Sequence, residues 1–211
     1  LDNGIPVYVM DFPGHEILKI EVVYRAGRPE EDKHLASRAT ARLVREGTVS
    51  QTGAEIAEHI DFYGGSLHIP TNLDTANFLL FALHKYAAEL IPVFAGLFQE
   101  PIFPADELET FKRTSIQELM VDLDKEEVLA YRRITELTYG ENHPYGYNST
   151  PADYAALNRD DLICHFNHWY TPANCRIFVS GRVDAPVLQL LNQHFGQTQR
   201  QGRLLDSPPQ I

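Results

Sequence analysis

Between Ile17 and Tyr24 the chain reads ILKIEVVY, with Leu18, Ile20, Val22 and Tyr24 apolar at every second position. That two-residue period predicts a strand with one buried face. Ile5 to Met10 reads as a strand before it, and the turn at Phe12-Pro13-Gly14 predicts that the two form an antiparallel pair. The period then lengthens. Residues 34–46 carry helical spacing and stop at Gly47. Thr52 and Glu55 stand at capping-box spacing at the head of a second helix, TGAEIAEHIDFYGG, which Gly64-Gly65 ends. Ser66 to Thr71 and Thr75 to His84 read as two more strands joined by Asn72-Leu73-Asp74. A helical stretch follows from Lys85 to Phe98, interrupted by Pro101 and Pro104; Pro104 suits the first turn of a helix running from about Ala105 to Asp122. Lys125 to Tyr139 reads as another helix, stopped by Gly140, and GENHPYGYNSTPADY as a loop. A helix near Arg159 to Tyr170, the strand NCRIFVSG and the helix APVLQLLNQHF complete the pattern.

Hairpins and paired helices in this order predict an α+β fold, with a largely antiparallel sheet and helices packed on one face in two layers. Residues 1–195 read as one domain. The polar, proline-ended stretch 196–211, GQTQRQGRLLDSPPQI, reads as a linker towards a second domain.

Composition narrows the partners. A net charge of -11 disfavours phosphate backbones and anionic membranes, so neither nucleic acid nor membrane is expected. No apolar run is long enough to span a bilayer. Two cysteines, Cys164 and Cys175, make no disulfide framework and suit a reducing compartment. A cytoplasmic location is expected, with the periplasm as the alternative, because a chain starting without Met reads as processed or truncated.

Candidate chemistry is sparse. CHFNH puts Cys164, His165 and His168 on one helix, with Cys164 and His168 four residues apart, a spacing that can offer two metal ligands. No second cluster has ligand spacing, so an amphipathic helix is the favoured reading. His143, in NHPYG, reads as part of a turn, with no nucleophile signalled beside it. There is no G-x-S-x-G elbow, no glycine-rich phosphate loop and no C-x-x-C. In the helix of HLASRATARLVREGT, positions 38, 41 and 42 share a face. In an H-x-x-E-H motif that spacing gives two imidazoles to a metal and a carboxylate to its water. Here the positions hold Arg38, Ala41 and Arg42; arginine is always protonated and has no lone pair for a metal, and alanine cannot accept a proton.

The order and spacing of LDNGIPVYV, YRAG, EGT…AEIAEHIDFYGGSL, HPYG and YTPANCRIFVSGRVD resemble the pitrilysin/insulinase family of zinc metallopeptidases, which includes the mitochondrial processing peptidases. The resemblance covers nearly the whole chain. It implies that RATAR stands where active members carry H-x-x-E-H. The family's third zinc ligand, a glutamate on a later helix, would correspond to Glu118, 76 residues after Arg42. The chain therefore resembles the first domain of a zinc-less, non-catalytic subunit or half. Such a domain is expected to hold no cofactor itself, to help enclose a peptide, and to dock a zinc-bearing paralogous partner that hydrolyses it. A purely structural core-type subunit and a peptidase with a relocated site are the alternatives.

Two further expectations follow. Arg38 and Arg42 with Glu118 carry the same net positive charge as zinc with two neutral histidines and a glutamate, so a guanidinium is expected in the place of the metal, paired with Glu118. The strand Ser66, Leu67, His68 and Ile69 corresponds to the edge strand that pairs with substrate in active members. It reads equally as substrate contact or as a plain edge guarded by Pro70.

Overall fold

The computed structural model describes residues 1–199 and 201. The expected linker, 196–211, lies mostly outside them. In chain order the elements are β1 (Val7–Asp11), β2 (Ile17–Tyr24), α1 (Ala36–Leu43), α2 (Gly53–Phe62), β3 (Ser66–His68), β4 (Ala76–Leu83), α3 (Ala87–Gly96), α4 (Ala105–Leu123), α5 (Glu126–Tyr139), α6 (Pro151–Ala155), α7 (Arg159–Trp169), β5 (Cys175–Gly181) and α8 (Ala185–Phe195). The α+β class is as the sequence predicts. The short α6 falls inside the stretch read as a loop; Thr150 caps it by accepting from the Asp153 N–H at 3.3 Å.

The sheet order is β1-β5-β2-β4-β3, and β1–β5 is its parallel pairing among three antiparallel ones. The expected β1–β2 hairpin is therefore not formed, because β5 lies between them. The burial pattern gives the reason. Leu18, Ile20, Val22 and Tyr24 of β2 are all buried, as a strand with neighbours on both sides requires, whereas β1 is exposed at four of its five residues and belongs at an edge. Gly181 makes the insertion sterically feasible. It has φ +111°, and a Cβ there would meet the Ile17 carbonyl oxygen at 1.9 Å. The freed backbone is used on both sides: Phe12 N–H donates to the Gly181 carbonyl at 2.7 Å, and Arg182 N–H to that of Ile17 at 3.2 Å.

One face of β2, β4 and β5 forms the core with α1, α3, α7 and α8. Tyr24 stacks on Tyr170 at 4.7 Å between centroids, with Phe78 and Phe98 around them. α1 packs on α7 and α3 on α8. The opposite sheet face carries exposed Tyr8, Met10 and Phe178, with Tyr8 stacked on Phe178 at 5.0 Å. α5 buries no residue and leaves Leu129, Tyr131, Ile134 and Leu137 exposed. The Thr52–Glu55 capping box forms as its spacing predicts, with Thr52 N–H donating to Glu55 at 2.8 Å and Glu55 N–H donating back at 3.3 Å. Among the described residues, no helix is long and apolar enough to cross a membrane.

Candidate functional site

α1 starts in an unusual way. Its N-cap is Leu35, which has no side-chain oxygen and sits at φ +70° in the left-handed region. The missing cap is supplied from outside by Glu31. Its carboxylate accepts from Leu35 N–H at 3.1 Å and Ser37 N–H at 2.9 Å, from the Ser37 hydroxyl, and from Tyr147 O–H at 3.0 Å. Burial raises the pKa of Glu31, and those donors oppose the rise. A carboxylate at a helix N-terminus also suits the macrodipole.

Tyr147 ties two of the sequence motifs together. His34 stacks on its ring at 4.0 Å and the Arg28 guanidinium lies over it at 4.5 Å. Arg28 also donates to the Pro144 and Tyr147 carbonyls at 3.4 and 3.3 Å. The residues that directly follow YRAG and HPYG thus meet, and they fix the start of α1. Gly27 of YRAG is needed for a close approach, since a Cβ there would lie 2.1 Å from the Leu73 carbonyl oxygen, which accepts the Arg28 N–H at 2.6 Å.

Beyond this support lies a cavity of about 360 Å³ between α1, one face of α4, and the chain linking β3 to β4. Arg38, Ala41, Arg42 and Glu118 all line it. On α4 the lining residues Glu107, Phe111, Thr114 and Glu118 follow the helical period, so one stripe of that helix faces α1. Ile69 and Pro70 line the cavity too, so the chain leaving β3 runs along its rim. β3 itself covers Ser66, Leu67 and His68 and pairs on one side only, with β4. Ile69 lies just beyond the strand.

The expected ion pair is not made. Among the described residues, neither Arg38 nor Arg42 comes within 4.0 Å of the Glu118 carboxylate. Arg38 instead donates to the Tyr154 hydroxyl at 3.1 Å. All three charged residues are exposed, so each keeps its water and no desolvation cost forces a pairing. The charge count was also incomplete, because Glu46 and Glu107 line the same cavity, giving three carboxylates against two cations. Nor do these positions fit a zinc ion. Two guanidinium groups and a methyl group offer no lone pair, which leaves Glu118 as the single donor of the set.

The histidine cluster divides. His165 is buried, its Nε2 lies 3.2 Å from the Ala26 carbonyl oxygen, and burial lowers its pKa to about 4, so it stays neutral and structural. Cys164 and His168 lie on the outer side of α7 beside Asp32, which arrives from a distant part of the sequence. His143 accepts from Tyr145 N–H at 3.1 Å within its own turn. Sequence reasoning missed Glu31, Asp32, Tyr147 and Glu107. Glu30-Glu31-Asp32 looks like an ordinary solvated run, and nothing local marks one carboxylate as a helix cap and the next as a neighbour of α7.

Comparison with known proteins extends the picture. Residues 156–211 match the family model described as the peptidase M16 inactive domain. An uncharacterized zinc protease of Bacillus subtilis, YmxG, is 24% identical over 205 residues, covering 95% of this chain and 50% of its own. An uncharacterized zinc protease of Mycobacterium leprae, ML0855, is 25% identical over 215 residues, covering 99% and 48%. The chain therefore spans about half the length of the curated relatives it matches. A crystal structure of a peptidase M16 inactive domain from Pseudomonas fluorescens superimposes with a TM-score of 0.89 at 18% identity, covering 97% of this chain and 51% of that one. A Helicobacter pylori protease gives 0.89 at 18%, covering 100% and 52%. In its motif order, its fold and these matches the chain is similar to the M16, or pitrilysin/insulinase, peptidases, and its fold is that of the solved M16 inactive domain.

Proposed function

We propose that this chain is the non-catalytic first domain of an M16 subunit or half, which walls a peptide-holding chamber and works with a zinc-bearing relative. The observation that carries the reading is the α1–α4 cavity. It is lined by Arg38, Ala41 and Arg42, where the resemblance places the ligands and base, so on this reading it offers room for a peptide without the means to cut it. β3, an edge strand whose free side is unpaired within the described residues, ends at the cavity rim and suits main-chain pairing with an extended peptide over Ser66–His68; Pro70, which has no N–H, limits how far such pairing runs.

Two apolar faces support assembly. The uncovered residues of α5, and Tyr8, Met10 and Phe178 on the open sheet face, form surfaces that a stable domain buries in a complex. Their occupant on this reading is the second domain of the same polypeptide, because the relatives run to about twice the aligned length. The zinc-bearing partner then closes over the cavity side.

The test is reconstitution. The full-length protein and a zinc-bearing M16 relative from the same organism are assayed separately and mixed, on a fluorogenic peptide library. Cleavage that appears or rises at least about tenfold on mixing supports the reading. Turnover by this protein alone, or stable association that leaves the relative's activity unchanged, overturns it; the second result would favour a structural core-type subunit.

A further inference from the structure

We propose that Asp32, Cys164 and His168 form a binding site for a transition-metal dication of borderline softness, zinc first, separate from the α1–α4 cavity. Among the described residues this is the one group of three His, Cys, Asp or Glu side chains whose ligand atoms converge, all lying within 4.8 Å of one another. Cys164 Sγ is 3.5 Å from His168 Nδ1, and Asp32 Oδ2 is 3.6 Å from the same nitrogen. A tetrahedral zinc site with arms of about 2.0–2.3 Å has ligand-to-ligand edges of roughly 3.3–3.8 Å. Both measured distances fall in that interval, so a metal can sit at the common centre with little movement of His168. The third edge closes by rotation of Asp32, which is exposed.

The geometry separates this from a catalytic relay. In a thiol–imidazole–carboxylate relay the thiol and the carboxylate take opposite ring nitrogens, so that a proton can pass through. Here both face Nδ1. A sulfur and a carboxylate converging on one imidazole nitrogen are the corners of a coordination site. Thiolate, imidazole and carboxylate together suit zinc better than a hard cation such as calcium or magnesium.

The site is built on fixed parts. α7 is capped by Asn158, which accepts from Asp161 N–H at 3.1 Å, and is anchored by buried Leu162, Phe166 and Trp169. The contact between His165 and the Ala26 carbonyl holds α7 against the segment that leads to Asp32. Cys164 and His168 therefore present a preset pair, one turn apart, and Asp32 completes it from the loop. None of the three lines the α1–α4 cavity.

The experiment uses the tag-free, chelator-treated full chain. Isothermal titration with zinc chloride, together with cobalt(II) absorption spectra, is run on the wild type and on Cys164→Ser, His168→Asn and Asp32→Asn; circular dichroism checks that each variant is folded. One equivalent of zinc is expected, with a sulfur-to-cobalt charge-transfer band in the near ultraviolet. Cys175 is buried, which leaves Cys164 as the thiol that can give that band. Cys164→Ser should abolish the band and, like His168→Asn, weaken zinc binding by at least about tenfold; Asp32→Asn should weaken it less. No zinc binding by the folded wild type, binding unchanged in the Cys164 and His168 variants, or a cobalt complex without sulfur character would overturn the proposal.

Discussion

The α1–α4 cavity and the Asp32–Cys164–His168 cluster are opposites. The first has, by the resemblance, the address of a metal site and lacks its donors: Arg38, Ala41 and Arg42 occupy three of the four positions, and Glu118 is the single donor among the four. The second has three suitable donors converging on one point, at an address the resemblance does not mark. The contrast shows how little the scaffold decides by itself. The same helical spacing that serves an H-x-x-E-H motif is neutralised by two guanidinium groups. A helix turn whose local sequence offers only two ligands becomes a candidate site once a loop from 132 positions earlier, counting from Asp32 to Cys164, reaches it. Metal chemistry follows lone pairs, and the fold only brings them together.

The sharpest way to break that contrast is to restore the donors. The triple variant Arg38→His, Ala41→Glu, Arg42→His should give the cavity a zinc affinity at least about 100-fold above that of the wild-type cavity, and Glu118→Gln in the same background should remove most of it. Titration in a Cys164→Ser background reads the cavity alone. A triple variant that gains nothing would mean that α1 and α4 no longer hold a ligating geometry.

A smaller effect tests the support beneath the cavity. Gly27→Ala sets a methyl group against the Leu73 carbonyl and should cost about 3 kcal/mol or more, a fall in Tm of order 10 °C. Gly14→Ala, where nothing lies within 4 Å, should stay within about 0.5 kcal/mol and serves as the control. Thermal unfolding followed by circular dichroism decides it. Glu31→Ala removes the external cap of α1 and should cost about 2 kcal/mol in denaturant unfolding; Glu31→Gln, which keeps an acceptor, should recover about half of that. Smallest of all, Arg38→Ala loses one part-buried hydrogen bond to Tyr154 and should change stability by about 1 kcal/mol or less. A larger loss would mean that Arg38 supports the fold rather than merely bordering the cavity.

Much of this was legible from pattern. The alternation of β2, the capping box of α2 and the helical period of α4 are local signals, and each names its element. What lay beyond reach was pairing. The turn at Phe12-Pro13-Gly14 reads as a hairpin because the code for strand neighbours is not local; only the burial of both edges of β2 and the steric room at Gly181 reveal that β5 lies between. The cavity positions were legible through helical spacing and the distance to Glu118. The ion pair was not, because whether two opposite charges meet depends on exposure, and a solvated carboxylate has no need of a partner. Asp32 was invisible for the reason that the place of β5 in the sheet was: its relevant neighbours are remote in sequence.

The place of β5 also bears on time. It is the fifth strand among the described residues and the second in the sheet, bonded on both sides to strands that precede it by about 150 positions or more, β1 and β2. As the polypeptide leaves the ribosome, β1 therefore has no partner until Cys175–Gly181 emerges, while β2 can pair at first only with β4. Contacts of such large sequence separation make folding slow, and the unpaired edges stay open to other chains meanwhile. A fragment truncated before residue 175 should be unable to close its sheet, however well its helices form, which makes the last strand the step on which the domain's assembly waits.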